Sequence, residues 1–218
     1  MNLYRLAAFD LDGTILNTLD DLAAATNHVL SEGGFPSRSV EEVRCFVGNG
    51  IHKLIERAVP EECPEAVTEQ LYRDFLSYYQ EHCFDRTLPY PGIPQALQRL
   101  KAEGYLLAVL SNKADPAVKE LCGRYFPGIF DFSAGERSGI PKKPAPDALL
   151  AAMKELGVSP AETVYIGDSD VDIDTAKNAG VPCISVCWGF RSLPFLLEHG
   201  ASATVGTPDE LLKRLLTL

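Results

Sequence analysis

Two kinds of apolar pattern take turns along this chain. Residues 3–10, "LYRLAAFD", form a nearly unbroken apolar run, as expected of a strand buried on both faces. Residues 19–34, "LDDLAAATNHVLSEGG", repeat at helical spacing, with Leu19, Leu22, Thr26 and Val29 on one stripe and Gly33-Gly34 as the stop. From 39 to 82 only helical patterns occur: "SVEEVRCFV", "GIHKLIERAV" and "PEAVTEQLYRDFLSYYQEH". After "LPYPGIP" strands and helices alternate again. Helices are predicted over "IPQALQRLKAEG", "DPAVKELCGRYF", "DALLAAMKELG" and "DIDTAKNAG". Strands are predicted over "YLLAVL", "TVYIGD" and "PCISVCWG".

Strands that alternate with helices predict an α/β fold, a mostly parallel Rossmann-like sheet covered on both faces. The helical block reads as an insertion after the first strand, and Pro89, Pro91, Gly92 and Pro94 mark the return. The expected division is an α/β core over 1–17 and 89–218 and a small all-helical domain over 18–88.

Composition narrows the function classes. Among 218 residues, 46% are hydrophobic and 23% charged, ordinary for a globular protein, and the formal charge is −10. That sign argues against nucleic acid or an anionic membrane as a partner. No stretch approaches the roughly 20 apolar residues of a membrane span. The opening "MNLYRLAAFD" lacks the apolar core of a signal peptide. Six cysteines without a CxxC pair read as reduced thiols, and the expected location is cytoplasmic.

The candidate chemistry sits at predicted strand ends. Residues two apart on a strand face the same way, so Asp10 and Asp12 point together. Open parallel sheets bind ligands beyond the carboxyl ends of their strands. Two further strands end in Ser111-Asn112-Lys113 and in Asp168, which is followed by Ser169, Asp170, Asp172 and Asp174. "PKKPAP" places Lys142 and Lys143 in a stiff loop nearby. Crowded carboxylates need a cation, and an all-oxygen site that also takes phosphate oxygens suits Mg2+. Neither acidic run is an EF-hand. Positions six and twelve hold Ile173 and Ala179 counting from Asp168, and Ile15 and Asp21 counting from Asp10.

"DLDGT", "LSNK", "KKPAP" and "IGDSDVDIDTA", in this order, resemble the four motifs of the haloacid dehalogenase superfamily. The helical block falls where that family carries a helical cap. "FVGNGIHKLIERAV" and "CWGFRS" are similar to its phosphoglycolate phosphatase branch. The resemblance implies a Mg2+-dependent phosphatase of small phosphorylated metabolites, working as a monomer or homodimer. Asp10 would be the nucleophile that becomes an aspartyl-phosphate. Asp12 would protonate the leaving oxygen and later deprotonate water. Mg2+ would sit between Asp10, the backbone carbonyl of Asp12 and Asp168. Ser111 and Lys143 would hold phosphoryl oxygens with support from Asn112, and Asp172 would act from behind the ligands. Lys143, not Lys142, matches the Lys-Pro-x-Pro pattern. Asn17-Thr18 stands where many relatives have Asp-Ser, and Ser111 where many have Thr.

Within the same superfamily, a pyrophosphatase, a nucleotidase or a phosphosugar mutase would share these motifs. A non-catalytic, phosphate-dependent binding or signalling module is the alternative from a different class. The turn Gly48-Asn49-Gly50 with Lys53 is either a helix-starting turn or a reader of the substrate's anionic end. Asp170 and Asp174 are expected to begin a helix, and Trp188 to serve packing.

Overall fold

The computed structural model describes residues 4–48 and 50–217. Asn49 lies outside them. The chain divides into two compact units, 1–16 with 89–218, and 17–88.

The first unit is built on a six-stranded, all-parallel sheet in the order β5-β4-β1-β6-β7-β8. The chain makes β1 (Leu6–Phe9) and a two-residue β2 (Leu16–Asn17) before it enters the second unit. That unit holds four helices: α1 (Leu19–Glu32), α2 (Val40–Phe46), α3 (Ile51–Ala58) and α4 (Glu65–His82). The chain returns through β3 (Leu88–Pro89), which pairs with β2. Then follow α5 (Ile93–Ala102), β4 (Leu106–Ala114), α6 (Asp115–Tyr125), β5 (Phe132–Glu136), α7 (Asp147–Leu156) and β6 (Thr163–Gly167). Last come α8 (Asp170–Ala179), β7 (Cys183–Val186), α9 (Leu193–Glu198), β8 (Thr204–Val205) and α10 (Pro208–Leu216).

The strand order decides where a ligand can bind. From β1 the chain moves outward through β4 to β5, then returns to β6 on the other side of β1 and continues through β7 to β8. Right-handed crossovers therefore put α5 and α6 on one face and α7 and α8 on the other. The connections diverge between β1 and β6, and a crevice opens there beyond the strand ends. Both strands are fully buried, as expected of central strands in a parallel sheet. Leu6 and Ala8 of β1 pack with Tyr165, Ala108 and Leu110 beneath Leu149, Ala152 and Met153 of α7 and Ala176 of α8.

The structure differs from the sequence expectation in three places. Strand β4 does not stop at Leu110 but runs on to Ala114, with a register irregularity between Leu110 and Ala114. Strand β5, "FSAGE", was not predicted, because it is a half-buried edge strand without apolar alternation. The sequence pattern assigns no element beyond residue 190, because α9, β8 and α10 are short and bury only isolated residues such as Leu196, Leu211 and Leu215. Among the described residues no helix is long and apolar enough to cross a membrane.

In the second unit α1 packs against α2 and α4, and α3 against the same two helices. Its polar keystone is Asp21, a buried carboxylate on α1. It accepts the backbone N–H groups of Arg86 (2.9 and 3.1 Å) and Thr87 (2.8 Å) and so ties down the chain after α4. Hydrogen bonds to a charged acceptor are worth more than neutral ones, and their loss strands buried donors. Asp21→Ala is therefore expected to destabilise the protein by about 2–4 kcal/mol, measured as a lower urea midpoint. An unchanged midpoint would show that water replaces the carboxylate at no cost.

Candidate active site

The backbone after β1 brings its carboxylates to the crevice. Asp10 donates its N–H to the Ile166 carbonyl at 2.8 Å, which keeps it in register with β6. Gly13 follows with φ +91°, and a Cβ there would lie 2.4 Å from Asp168 Oδ2. Only glycine permits that turn against that carboxylate. Asp168 stands one residue beyond β6, and Ser169 caps α8 in a capping box with Asp172.

At the centre lies the Lys143 ammonium. Its Nζ donates to Asp10 Oδ1 at 2.6 Å, Asp172 Oδ1 at 2.8 Å and the Tyr165 hydroxyl at 3.1 Å. Its side chain is only 6% exposed. Burial alone would lower its pKa, but the carboxylates of Asp10 and Asp172 hold it well above the ordinary ammonium range. The loop that carries Lys143 is clasped by Asn112, whose amide oxygen accepts the Lys143 N–H (2.9 Å) and whose amide nitrogen donates to the Lys143 carbonyl (3.0 Å). Both ends of the Asn112 amide are thereby committed to the lysine loop. Lys142 is half-exposed and pairs with Glu136 at 2.7 Å, away from this cluster.

A second pair sits on β4. Lys113 Nζ donates to Asp12 Oδ1 at 2.9 Å, and Ser111 Oγ lies 3.4 Å from Asp12 Oδ2. Lys113 also donates its backbone N–H to Ser111 Oγ at 3.1 Å. Lys113 lies within "LSNK", and its sequence context alone assigns it no role. The two-residue spacing that paired Asp10 with Asp12 could equally have paired Lys113 with Ser111. Tyr165 and Thr14 were missed as well. Tyr165 gave no signal beyond an aromatic in an apolar run.

Asp10, Asp168 and Asp172 each offer a carboxylate oxygen within 4.8 Å of the others. Their hydrogen bonds separate their roles. Asp172 is fully engaged. Its Oδ2 accepts from Ser169 Oγ (2.6 Å), Ser169 N (3.1 Å) and Asp168 N (3.2 Å), and its Oδ1 from Lys143 and Tyr165. Asp10 Oδ2 and Asp168 Oδ1 are left sharing the Thr14 hydroxyl, 3.4 Å from each. Three buried carboxylates face one ammonium, and every free donor is a hard oxygen. This donor set fits a hard divalent cation, which Asp10 and Asp168 could hold. Burial pushes the Asp10 carboxyl up to about 7 despite the pull of Lys143, and Asp172 adds to the rise. Asp168 is raised well above the usual carboxylate range by burial, then by Asp172 and Asp10, while the Phe190 N–H pulls the other way.

Asp170 is the first residue of α8, 3.9 Å from Arg191, and Asp174 lies further along that helix. Gly48, Gly50 and Lys53 belong to the helical unit. Gly50 (φ +88°) precedes α3, and the exposed Lys53 pairs with Glu56. Asn49 lies outside the described residues.

The sequence profile of the haloacid dehalogenase-like hydrolases matches residues 7–186. A phosphoglycolate phosphatase of Aquifex aeolicus is 32% identical over 210 residues, covering 96% of this chain and 95% of its own. One from Thiobacillus denitrificans is 37% identical over 195 residues, covering 86% of this chain and 85% of its own. The crystal structure of a candidate phosphoglycolate phosphatase from Lactobacillus delbrueckii subsp. bulgaricus superposes with a TM-score of 0.95 at 39% identity, covering 99% of both chains.

The raised Asp10 pKa has a signed consequence. Between the unfolded carboxylate value of about 4 and about 7, native Asp10 keeps a proton that the unfolded chain has lost. Its contribution to metal-free stability therefore falls as pH rises through that window. A divalent cation binds the deprotonated carboxylates, so its stabilisation runs the opposite way. The rise in Tm on adding saturating Mg2+ should be larger near about pH 8 than near about pH 5.5, as read by differential scanning fluorimetry. A shift independent of pH would place the cation elsewhere.

Proposed function

The chain belongs to the haloacid dehalogenase-like hydrolases, and on that premise we propose that it is a Mg2+-dependent phosphatase of small phosphomonoesters, with phosphoglycolate as the leading substrate. The observation that carries this reading is the buried Asp10–Lys143 contact of 2.6 Å with Asp168 beside it. The activity of the relatives supports the substrate class.

In this reading Asp10 attacks phosphorus, the bond to the leaving oxygen breaks, and Asp12 gives that oxygen a proton. A water then attacks the aspartyl-phosphate, Asp12 takes its proton, and the bond between Asp10 and phosphorus breaks to release phosphate. Asp12 sits against Lys113 and Ser111, which hold its carboxylate. Lys143 offsets negative charge on the transferring group and holds Asp10 oriented. Asn112 acts as a positioning residue, since its amide is used on the Lys143 backbone. Ser111 would turn its hydroxyl, 3.4 Å from Asp12 Oδ2, towards a phosphoryl oxygen. Bound to Asp10 and Asp168, with the Asp12 carbonyl as a further ligand, Mg2+ would neutralise charge as the phosphoryl group moves.

The core groups meet only the phosphoryl end, which all phosphomonoesters share. We assign recognition of the leaving group to the helical unit, with Gly48, Asn49, Gly50 and Lys53 as its candidates.

Asp10→Asn is expected to abolish phosphate release from every substrate while leaving the circular dichroism spectrum unchanged. In Asp12→Asn, an activated aryl phosphate should still phosphorylate the enzyme, because its leaving group needs little protonation. Hydrolysis should then stall, and phosphoenzyme should accumulate to near stoichiometry in acid-quench mass spectra. Appreciable turnover by Asp10→Asn, or no trapped phosphoenzyme in Asp12→Asn, would remove the covalent route.

A separate measurement addresses the leaving group. Lys53→Ala should lower kcat/KM for phosphoglycolate by roughly tenfold, the scale of one charged contact, with a smaller effect on a neutral aryl phosphate. Equal losses on both substrates would assign Lys53 to the structure of the helical unit alone.

A further inference from the structure

The five residues after β7, Cys187–Arg191, make contacts that packing does not require. Trp188 Nε1 donates to the Thr14 carbonyl at 3.0 Å, across 174 positions of sequence. Two residues on, the Phe190 N–H donates to Asp168 Oδ2 at 2.6 Å. Gly189 between them runs so close that a Cβ there would lie 2.3 Å from the Asp168 Cβ and 2.5 Å from the Gly13 carbonyl oxygen. One short segment thus touches both arms of the carboxylate site, the turn after Asp12 and the side chain of Asp168.

We infer that this segment is a positioning clamp for the cation site, with Trp188 fixing the Gly13-Thr14 turn and the Phe190 N–H fixing the Asp168 carboxylate. The inference rests on the Mg2+-dependent reading above and extends it to residues that touch neither substrate nor phosphoryl group. A carboxylate with one oxygen tied to a backbone N–H cannot rotate freely. Its other oxygen, Oδ1, is therefore held on the side of Thr14 Oγ1, the hydroxyl that Asp10 Oδ2 shares. The indole N–H acts on the second arm, because the carbonyl it holds belongs to the residue carrying that hydroxyl. Ligands oriented before binding lose less freedom when the cation arrives, and outer partners of this kind typically change metal affinity by about 10–100-fold.

Trp188 is the only tryptophan in the chain, so its emission reports on this contact without labelling. The test compares the full-length parent, Trp188→Phe and Asp168→Asn. Phenylalanine keeps an aromatic ring and removes only the N–H donor and the second ring. Isothermal titration with MgCl2 should give a dissociation constant roughly tenfold weaker for Trp188→Phe, with metal-free Tm within about 2 °C of the parent. In the parent, Trp188 emission should shift with Mg2+ and saturate at the calorimetric constant, and the shift should be absent in Asp168→Asn. An unchanged constant in Trp188→Phe, beside a parent that binds, overturns the clamp and leaves the phosphatase reading standing. If Trp188→Phe fails to fold, the parent titration decides, and emission indifferent to bound Mg2+ overturns the clamp. No Mg2+ binding by the parent at all overturns the phosphatase reading and the clamp together.

Discussion

The buried Lys143 ammonium is the interaction on which the rest of the site depends. It donates at once to Asp10 and Asp172 and offsets part of the cost of burying both carboxylates. Desolvating charges costs several kcal/mol per ion, and excellent geometry with further hydrogen bonds is needed to offset it. Here those further bonds come from Ser169, Tyr165 and backbone N–H groups. Yet one ammonium faces three carboxylates, so the offset is incomplete. Burial is the main reason the pKa values of Asp10 and Asp168 are raised, and the neighbouring carboxylates add to the rise. A site built this way is short of positive charge where a cation and a phosphoryl group are expected to meet.

The surrounding structure divides labour among chemically similar residues. Asp172 spends both oxygens on close donors, while Asp10 and Asp168 each have one oxygen met only by the Thr14 hydroxyl at 3.4 Å. Lys143 and Lys113 each take a different aspartate, so Asp10 and Asp12 stand in different electrostatic settings. Asn112 uses its whole amide to hold a loop. Glycine lets Asp168 be gripped on two sides, since Gly13 and Gly189 both approach it more closely than any Cβ allows.

The strand ends were legible because they follow from simple periodicities. Apolar runs that stop in aspartates mark β1 and β6, and the two-residue period sets Asp10 and Asp12 on one side. The four helices α1 to α4 were legible from helical stripes bounded by Gly and Pro. Strand β5 was not, because an edge strand buries little and needs no alternation. Lys113 was overlooked because a lysine beside a predicted strand end reads as a solvated charge until its partner is known. Tyr165 was hidden because an aromatic in an apolar run reads as core, and only its hydroxyl, aimed at Lys143, distinguishes it.

By itself the sequence determined which residue types reach the sheet edge and in what order, because strand and helix periods are local properties of the chain. It also determined the family, since four short motifs in fixed order carry that information without any fold. Tertiary structure decided which lysine meets which aspartate, which carboxylate oxygens meet only the Thr14 hydroxyl, and that the Trp188 indole donates to the turn after Asp12. Those outcomes depend on strand order, which places β6 beside β1 although more than 150 residues separate them. No local pattern encodes that neighbourhood. It arises when the buried faces of the strands find one another and the crossovers take their single allowed hand.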